Sequence, residues 1–258
     1  MARESVSKTF IVAIALAATC SLLVAGAAIG LRPRQEANKV RDRKKNILIV
    51  AGLYDAKASV EESFQQIEPH IVDLATGEYV PKDQLDPETF DQRAAAKDPE
   101  LSVKIPREKD QAGIGRREKY SLVYLVKKNG KMDQVILPID GKGLWSTLYG
   151  FLALSGDLST VRGITFYEHA ETPGLGGEID NPTWQAKWTG KKIYDKEGSV
   201  QLHLVKGVAN KNSPEGAYQV DGLSGATLTA NGVTDLVKYW LGDDGFKKFV
   251  ERLQAEGA

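Results

Sequence analysis

The chain has 258 residues, 42% of them hydrophobic and 26% charged, which suits one sizeable core with an appendage rather than a disordered chain. Lys+Arg and Asp+Glu both number 34, so there is no one-signed field of the kind that holds nucleic acid. Cys20 is the only cysteine, which excludes an intrachain disulfide and any cysteine-built zinc or iron–sulfur centre.

A short tail, residues 1–9, leads into Phe10 to Leu31, a 22-residue run without a charge. A hydrocarbon core about 30 Å thick needs ~20 apolar residues, so residues 10–31 are predicted to form one transmembrane helix. A cleaved signal peptide competes, but its apolar region runs only about 7–15 residues. Arg3 and Lys8 precede the run, whereas Arg32, Arg34, Lys39, Arg41, Arg43, Lys44 and Lys45 come after it. The positive-inside tendency therefore places the remainder of the chain in the cytoplasm, although long domains cross membranes largely regardless of flanking charge.

Residues 32–75 read as a helical neck. Asn46 to Val50 with Leu53 gives one apolar face, and Ser59-Val60-Glu61-Glu62 is a capping box opening a helix that carries Phe64, Ile67 and Ile71. A globular domain is expected over 76–258. Pro81 to Gly115 reads as a surface segment with little sheet, to which no function is assigned. Ser121 to Val126 and Met132 to Pro138 flank Asn129-Gly130, a strong hairpin signal. Leu144 to Leu154 reads as helix or loop, Val161 to Glu168 and Ser199 to Val205 as strands, and Leu228 to Leu241 and Phe246 to Leu253 as amphipathic helices. The predicted class is α+β: one N-terminal transmembrane helix, then a domain with a mostly antiparallel twisted sheet flanked by helices.

Asp221 to Thr229 reads DGLSGATLT, between a short candidate strand at Ala217 to Val220 and the Leu228 to Leu241 helix. Small residues let a ligand approach the backbone there, and a helix N-terminus offers unpaired N–H groups and partial positive charge to a phosphate. Ser224 and Thr227 also suit plain helix caps. Thr172-Pro173-Gly174-Leu175-Gly176-Gly177 is a turn-rich loop whose N–H groups suit an acceptor-rich ring edge, or an ordinary connection. Trp145 suits either a contact with a planar ligand or the core. Lys206 reads as a solvated strand end. His169 beside Glu171 has the types for acid–base work, and His70 and His203 lack metal-ligand spacing; all stand outside the predicted site. No metal and no catalytic side chain is predicted.

DGLSGAT resembles the flavinylation motif D-x-x-[ST]-G-A-[TS] of FMN-binding domains in respiratory membrane complexes, matching every constrained position. Gly141-Lys142-Gly143-Leu144-Trp145-Ser146 and Glu171 to Gly177 resemble that family's other segments, and their order is similar to that in the NqrC-like subunits of the Na⁺-translocating NADH:quinone reductases. The resemblance implies FMN held by a phosphoester to Thr227, with Asp221, Ser224, Gly225 and Ala226 as fixed neighbours and Leu144, Trp145, Ser146 and Thr172 to Gly177 around the cofactor. It implies a relay between an iron–sulfur centre and a downstream flavin on other subunits of a complex that oxidises NADH, reduces ubiquinone and moves Na⁺. It also implies maturation by a flavin transferase, hence a periplasmic domain on a bacterial inner membrane, against the charge tendency. Attachment turn and ring-facing loop are expected to be separate segments. An Rnf-type FMN carrier of a ferredoxin-linked complex and a cofactor-free membrane-anchored scaffold are the alternative readings.

Overall fold

The computed structural model describes residues 5–257 in two units, one ending at Arg43 and the other beginning at Lys44. Helix α1 runs Val6–Val50 and contains a stretch long and apolar enough to cross a membrane. It does not stop at Leu31: the Arg- and Lys-rich stretch that comes next consists mostly of good helix formers, and Pro33 lies inside the helix.

In the second unit, α2 (Val60–Phe64) is a single turn whose Ser59 makes no side-chain cap bond. The chain then enters β1 (Ile67–Asp73), so the helix expected through Ile67 and Ile71 is a strand, and residues 67–73 of the predicted neck belong to the sheet. The Ile67/Ile71 spacing fits a helix, but Pro69 at its centre would remove a helical hydrogen bond. The next elements are β2 (Tyr79–Val80), α3 (Gln92–Lys97), β3 (Ser102–Lys104), β4 (Arg116–Glu118), β5 (Tyr120–Lys128), β6 (Lys131–Lys142), β7 (Thr147–Ser155) and β8 (Val161–Glu168). They are followed by α4 (Pro182–Gln185), β9 (His203–Leu204), β10 (Gln219–Val220), α5 (Thr227–Trp240) and α6 (Lys247–Ala255).

The main sheet has six strands in the order β2-β1-β5-β6-β7-β8, with every pairing antiparallel, as expected of the class. Asn129 (φ 54°) and Gly130 (φ 76°) make the β5–β6 turn, both in the left-handed region that a two-residue hairpin requires. β7 replaces the helix or loop expected over Leu144 to Leu154. Leu148, Leu152 and Leu154 pack on one face of the sheet and Phe151 and Ala153 on the other, so the strand reads as an unbroken apolar run without alternation. The strand expected from Ser199 shrinks to β9, which pairs in parallel with β10.

One sheet face is covered by α5, α6 and the 179–202 region, with Trp184, Trp188, Trp240, Phe246 and Phe249 buried there. The other face is covered by residues 47–51, α2, Leu85 and Phe90. Arg93 of α3 lies 3.5 Å over the Tyr149 ring and bonds Glu168 at 2.9 Å, pinning the Pro81 to Gly115 segment to that face.

Candidate functional site

The heptad turn is fastened at both ends and open in the middle. Leu223 and Ala226 are buried in the core while Ser224, Gly225 and Thr227 face solvent. Gly225 holds φ +70°, and a Cβ there would lie 2.9 Å from Leu175 Cδ2, so the turn touches the Thr172 to Gly177 loop. Asp221 is turned away from this opening. Its Oδ2 accepts from Lys187 Nζ at 2.7 Å, its Oδ1 from Ala209 N–H at 2.9 Å, and its carbonyl from Trp184 Nε1 at 2.9 Å. Burial alone would raise the Asp221 pKa, but Lys187 and the Ala209 amide outweigh it and hold the carboxyl below its ordinary value.

Neither Ser224 nor Thr227 caps α5. Ala226 holds the cap position without a side-chain bond, which removes the plain helix-cap reading. The first bond of the helix runs from Ala230 N–H to the Ala226 carbonyl at 3.0 Å, so the N–H groups ahead of it have no intrahelical acceptor. Thr227 is the first helical residue, and among the described residues its hydroxyl makes no hydrogen bond.

Glu171 organises the surroundings. Although 4% exposed, its carboxylate accepts from Leu144 N–H (3.2 Å), Trp145 N–H (2.9 Å), Ser146 N–H (3.2 Å) and the Thr229 hydroxyl (2.6 Å). One side chain thus ties the Gly-Leu-Trp-Ser turn, its own loop and the first turn of α5 together. Burial alone would raise its pKa, but the Thr229 hydroxyl and the three amides hold it below the ordinary glutamate value. No Cβ fits beside it: one on Gly143 would sit 2.7 Å from Glu171 Oε1, and one on Gly176 would sit 2.6 Å from Thr229 Oγ1. Loop and heptad turn, separate in sequence, are therefore joined in space through Glu171 and Thr229. Sequence reasoning places Glu171 in an acid–base pair and at the head of a family-like segment but outside the site, and so misses this role. The signal that could find it is its position at the head of the Thr172 to Gly177 loop.

The other predicted residues divide. Trp145 is 67% exposed, unlike the other three tryptophans, so it is not a core aromatic. Leu144, Leu175 and Leu228 are exposed too. Ser146 Oγ accepts from Ala170 N–H at 2.7 Å, which joins its turn to the loop. Leu175 N–H and Gly177 N–H both donate to the Thr172 carbonyl, so those two amides close the loop instead of facing a ligand. Pro173 and Gly174 form its exposed tip, with Gly174 at φ +75°. His169 braces the entry: its Nε2 lies 2.7 Å from Asp180 Oδ2, and Nδ1 accepts from Glu171 N–H at 3.1 Å.

The stretch from Gly143 to Gly242, which holds all three joined segments, matches the family model of the FMN-binding domain. That match defines the class, a flavin-binding domain behind an apolar helix. Over nearly its whole length the chain is 48% identical to the C subunit of the Na⁺-translocating NADH-quinone reductase of Pseudomonas aeruginosa, covering 98% of this chain and 97% of that protein. The corresponding C subunit of Neisseria meningitidis serogroup A is also 48% identical, over 99% of this chain and 97% of that one. The crystal structure of Shewanella oneidensis NqrC superposes with a TM-score of 0.78 at 34% identity, covering 84% of this chain and 99% of that one. The chain belongs to the NqrC family, the C subunits of Na⁺-translocating NADH-quinone reductases.

Proposed function

We propose that the chain is the covalent-FMN electron carrier of its complex, with FMN joined by a phosphoester to Thr227. The observation that carries this reading is the unbonded, exposed Thr227 hydroxyl at the start of α5, whose first turn Glu171 ties to the Leu144 to Ser146 turn and to its own loop. The residues fit the group. A phosphate on Thr227 Oγ1 meets the free N–H groups and positive end of a 14-residue helix, and Ser224, Gly225 and Ala226 add almost no bulk around it. Trp145, Leu144 and Leu175 supply exposed apolar surface for the ring system, and Glu171 fixes where that surface lies. FMN itself supplies the redox chemistry, and the chain contributes attachment, orientation and electrostatic surroundings.

This assignment extends to the partners. A carrier with no nicotinamide fingerprint and no cluster-ligating cysteines needs other subunits to oxidise NADH, to pass electrons in from an iron–sulfur centre and to accept them on a further flavin on the way to ubiquinone. The Na⁺ movement belongs to that whole assembly. Maturation requires a flavin transferase that reaches Thr227, which places the domain in the periplasm and the apolar helix in the inner membrane. Two observations support a relay over a self-contained flavin enzyme. The Thr227 surroundings are open, and they present apolar side chains to solvent.

The test is the intact mass of the full chain made with and without a flavin transferase. An added FMN phosphoryl group is expected only with the transferase, lost in Thr227→Ala and retained in part in Thr227→Ser. Flavin that persists covalently in Thr227→Ala would move the attachment elsewhere.

A further inference from the structure

Behind the heptad turn lies a cleft of about 500 Å³ that the flavin reading does not use. Its walls come from the turn after α4 and from the 211–217 loop, and they carry Lys187, Lys191 and Lys211 with Asp221 at one end. Three ammonium groups against one carboxylate leave a net charge of +2. Lys187 is paired with Asp221 at 2.7 Å, and Lys191 Nζ donates to the Gly216 carbonyl at 2.8 Å. Lys211 makes no ion pair among the described residues. Glu215, next along the 211–217 loop, accepts from Gln219 Nε2 at 3.3 Å. Burial, and after it the charge of Lys211, lower the Lys191 pKa against the pull of Asp221, and both lysines line the same cleft.

Like charges lining one concave cleft raise the local anion concentration, and Asp221 is the only carboxylate in its lining. We infer that this cleft binds a phosphate-bearing small anion, separate from the flavin on Thr227. Lysines act as point-charge donors to phosphate, and a tetrahedral dianion can accept from ammonium groups on different walls, which a planar monoanion does less well. The volume falls within the range of about 300–1,000 Å³ usual for small-molecule sites and exceeds the needs of a bare ion, so a phosphomonoester is the better fit. Thr189 and Ser213 add hydroxyls to the lining, and no aromatic side chain lines it, so a nucleobase gains no stacking there. Because Lys187 is shared with Asp221, occupancy of the cleft reaches the first residue of the heptad.

The experiment uses the flavin-bearing full chain in detergent, titrated with inorganic phosphate and with glycerol 3-phosphate. Chloride at matched ionic strength is the control. Calorimetry gives affinity, and amide shifts at Gly190 and Gly216 report the place. The expected result is saturable binding with shifts at those two glycines, at least tenfold weaker in Lys211→Glu, an exposed position whose substitution leaves the core intact. Tighter binding of glycerol 3-phosphate assigns the site to an organic phosphomonoester, and equal affinity assigns it to the phosphate group alone. Lys191→Gln serves as a second variant with the same expected loss. Affinity unchanged in Lys211→Glu, or shifts confined to Thr227 and Leu228, would overturn the inference.

Discussion

Glu171→Ala is the most discriminating perturbation of the site. The side chain accepts four hydrogen bonds. Leu144 and Trp145 are exposed enough for water to replace the carboxylate at their amides, whereas Thr229 is 1% exposed and its hydroxyl would be stranded. A buried donor left unsatisfied costs about 1–3 kcal/mol, and bonds to a charged acceptor lie at the upper end. Thr229 together with one poorly rehydrated amide gives a loss of about 2–4 kcal/mol. For a unit running from Lys44 to the C-terminus this lowers Tm by roughly 5–15 °C. The folded pKa of Glu171 is depressed, so its stabilisation is complete above the unfolded value of about 4.3 and is lost as pH falls through the folded value. Wild-type Tm should therefore fall on acidification below about pH 4.3, and Glu171→Gln should flatten that dependence. The assay is calorimetric melting of the full chain at several pH values, with the visible spectrum of the bound flavin followed in parallel. A Glu171→Ala protein that melts within 2 °C (roughly 1 kcal/mol or less) of wild type with an unchanged spectrum would refute the claim that this carboxylate organises the site.

Three other outcomes are expected. Gly232→Ala should destabilise strongly and reduce flavin loading, because its Cβ would lie 2.3 Å from the Lys142 carbonyl where α5 meets the start of the Trp145 turn; melting and gel fluorescence check this. Asp140, pushed up to about 7 by burial and then by the Glu118 charge, is favoured protonated in the fold. It therefore costs stability as pH rises from about 4 towards its folded value, and Asp140→Asn should gain on wild type in denaturant melts at pH 8 relative to pH 5. A reporter active only in the periplasm, fused to the C-terminus, should be active; activity of a cytoplasmic reporter instead would vindicate the Lys/Arg count after Leu31.

The hairpin and the two C-terminal helices were legible because each carries a local signal: Asn-Gly in one case, a 3.6-residue apolar period in the others. β1 and β7 were not. In β1 the Ile67/Ile71 spacing imitated a helix, and Pro69 is tolerated because β2 pairs only with Ile71 and Val72, so no neighbour on that side needs its missing N–H. In β7, burial on both faces erased the alternation, and Gly150, which looks like a breaker, lets β8 pass where a Cβ would lie 2.3 Å from the Thr165 carbonyl. Of the site, the motif segments were readable as strings of residues. Their convergence was not, because it depends on one carboxylate reaching amides 25 to 27 residues upstream and a hydroxyl 58 residues downstream.

That convergence needs no flavin to hold it. Glu171, Thr229, His169 and the glycines satisfy one another with protein groups alone, so the surface around Thr227 is complete once the chain has folded. If Thr227 is the attachment point, the modifying enzyme meets a finished shape rather than an extended peptide, and a chain that misassembles β7, the loop or α5 never presents its substrate. The covalent label then becomes a record of successful biogenesis, and the fraction of unlabelled chains in a membrane measures how often folding failed before maturation.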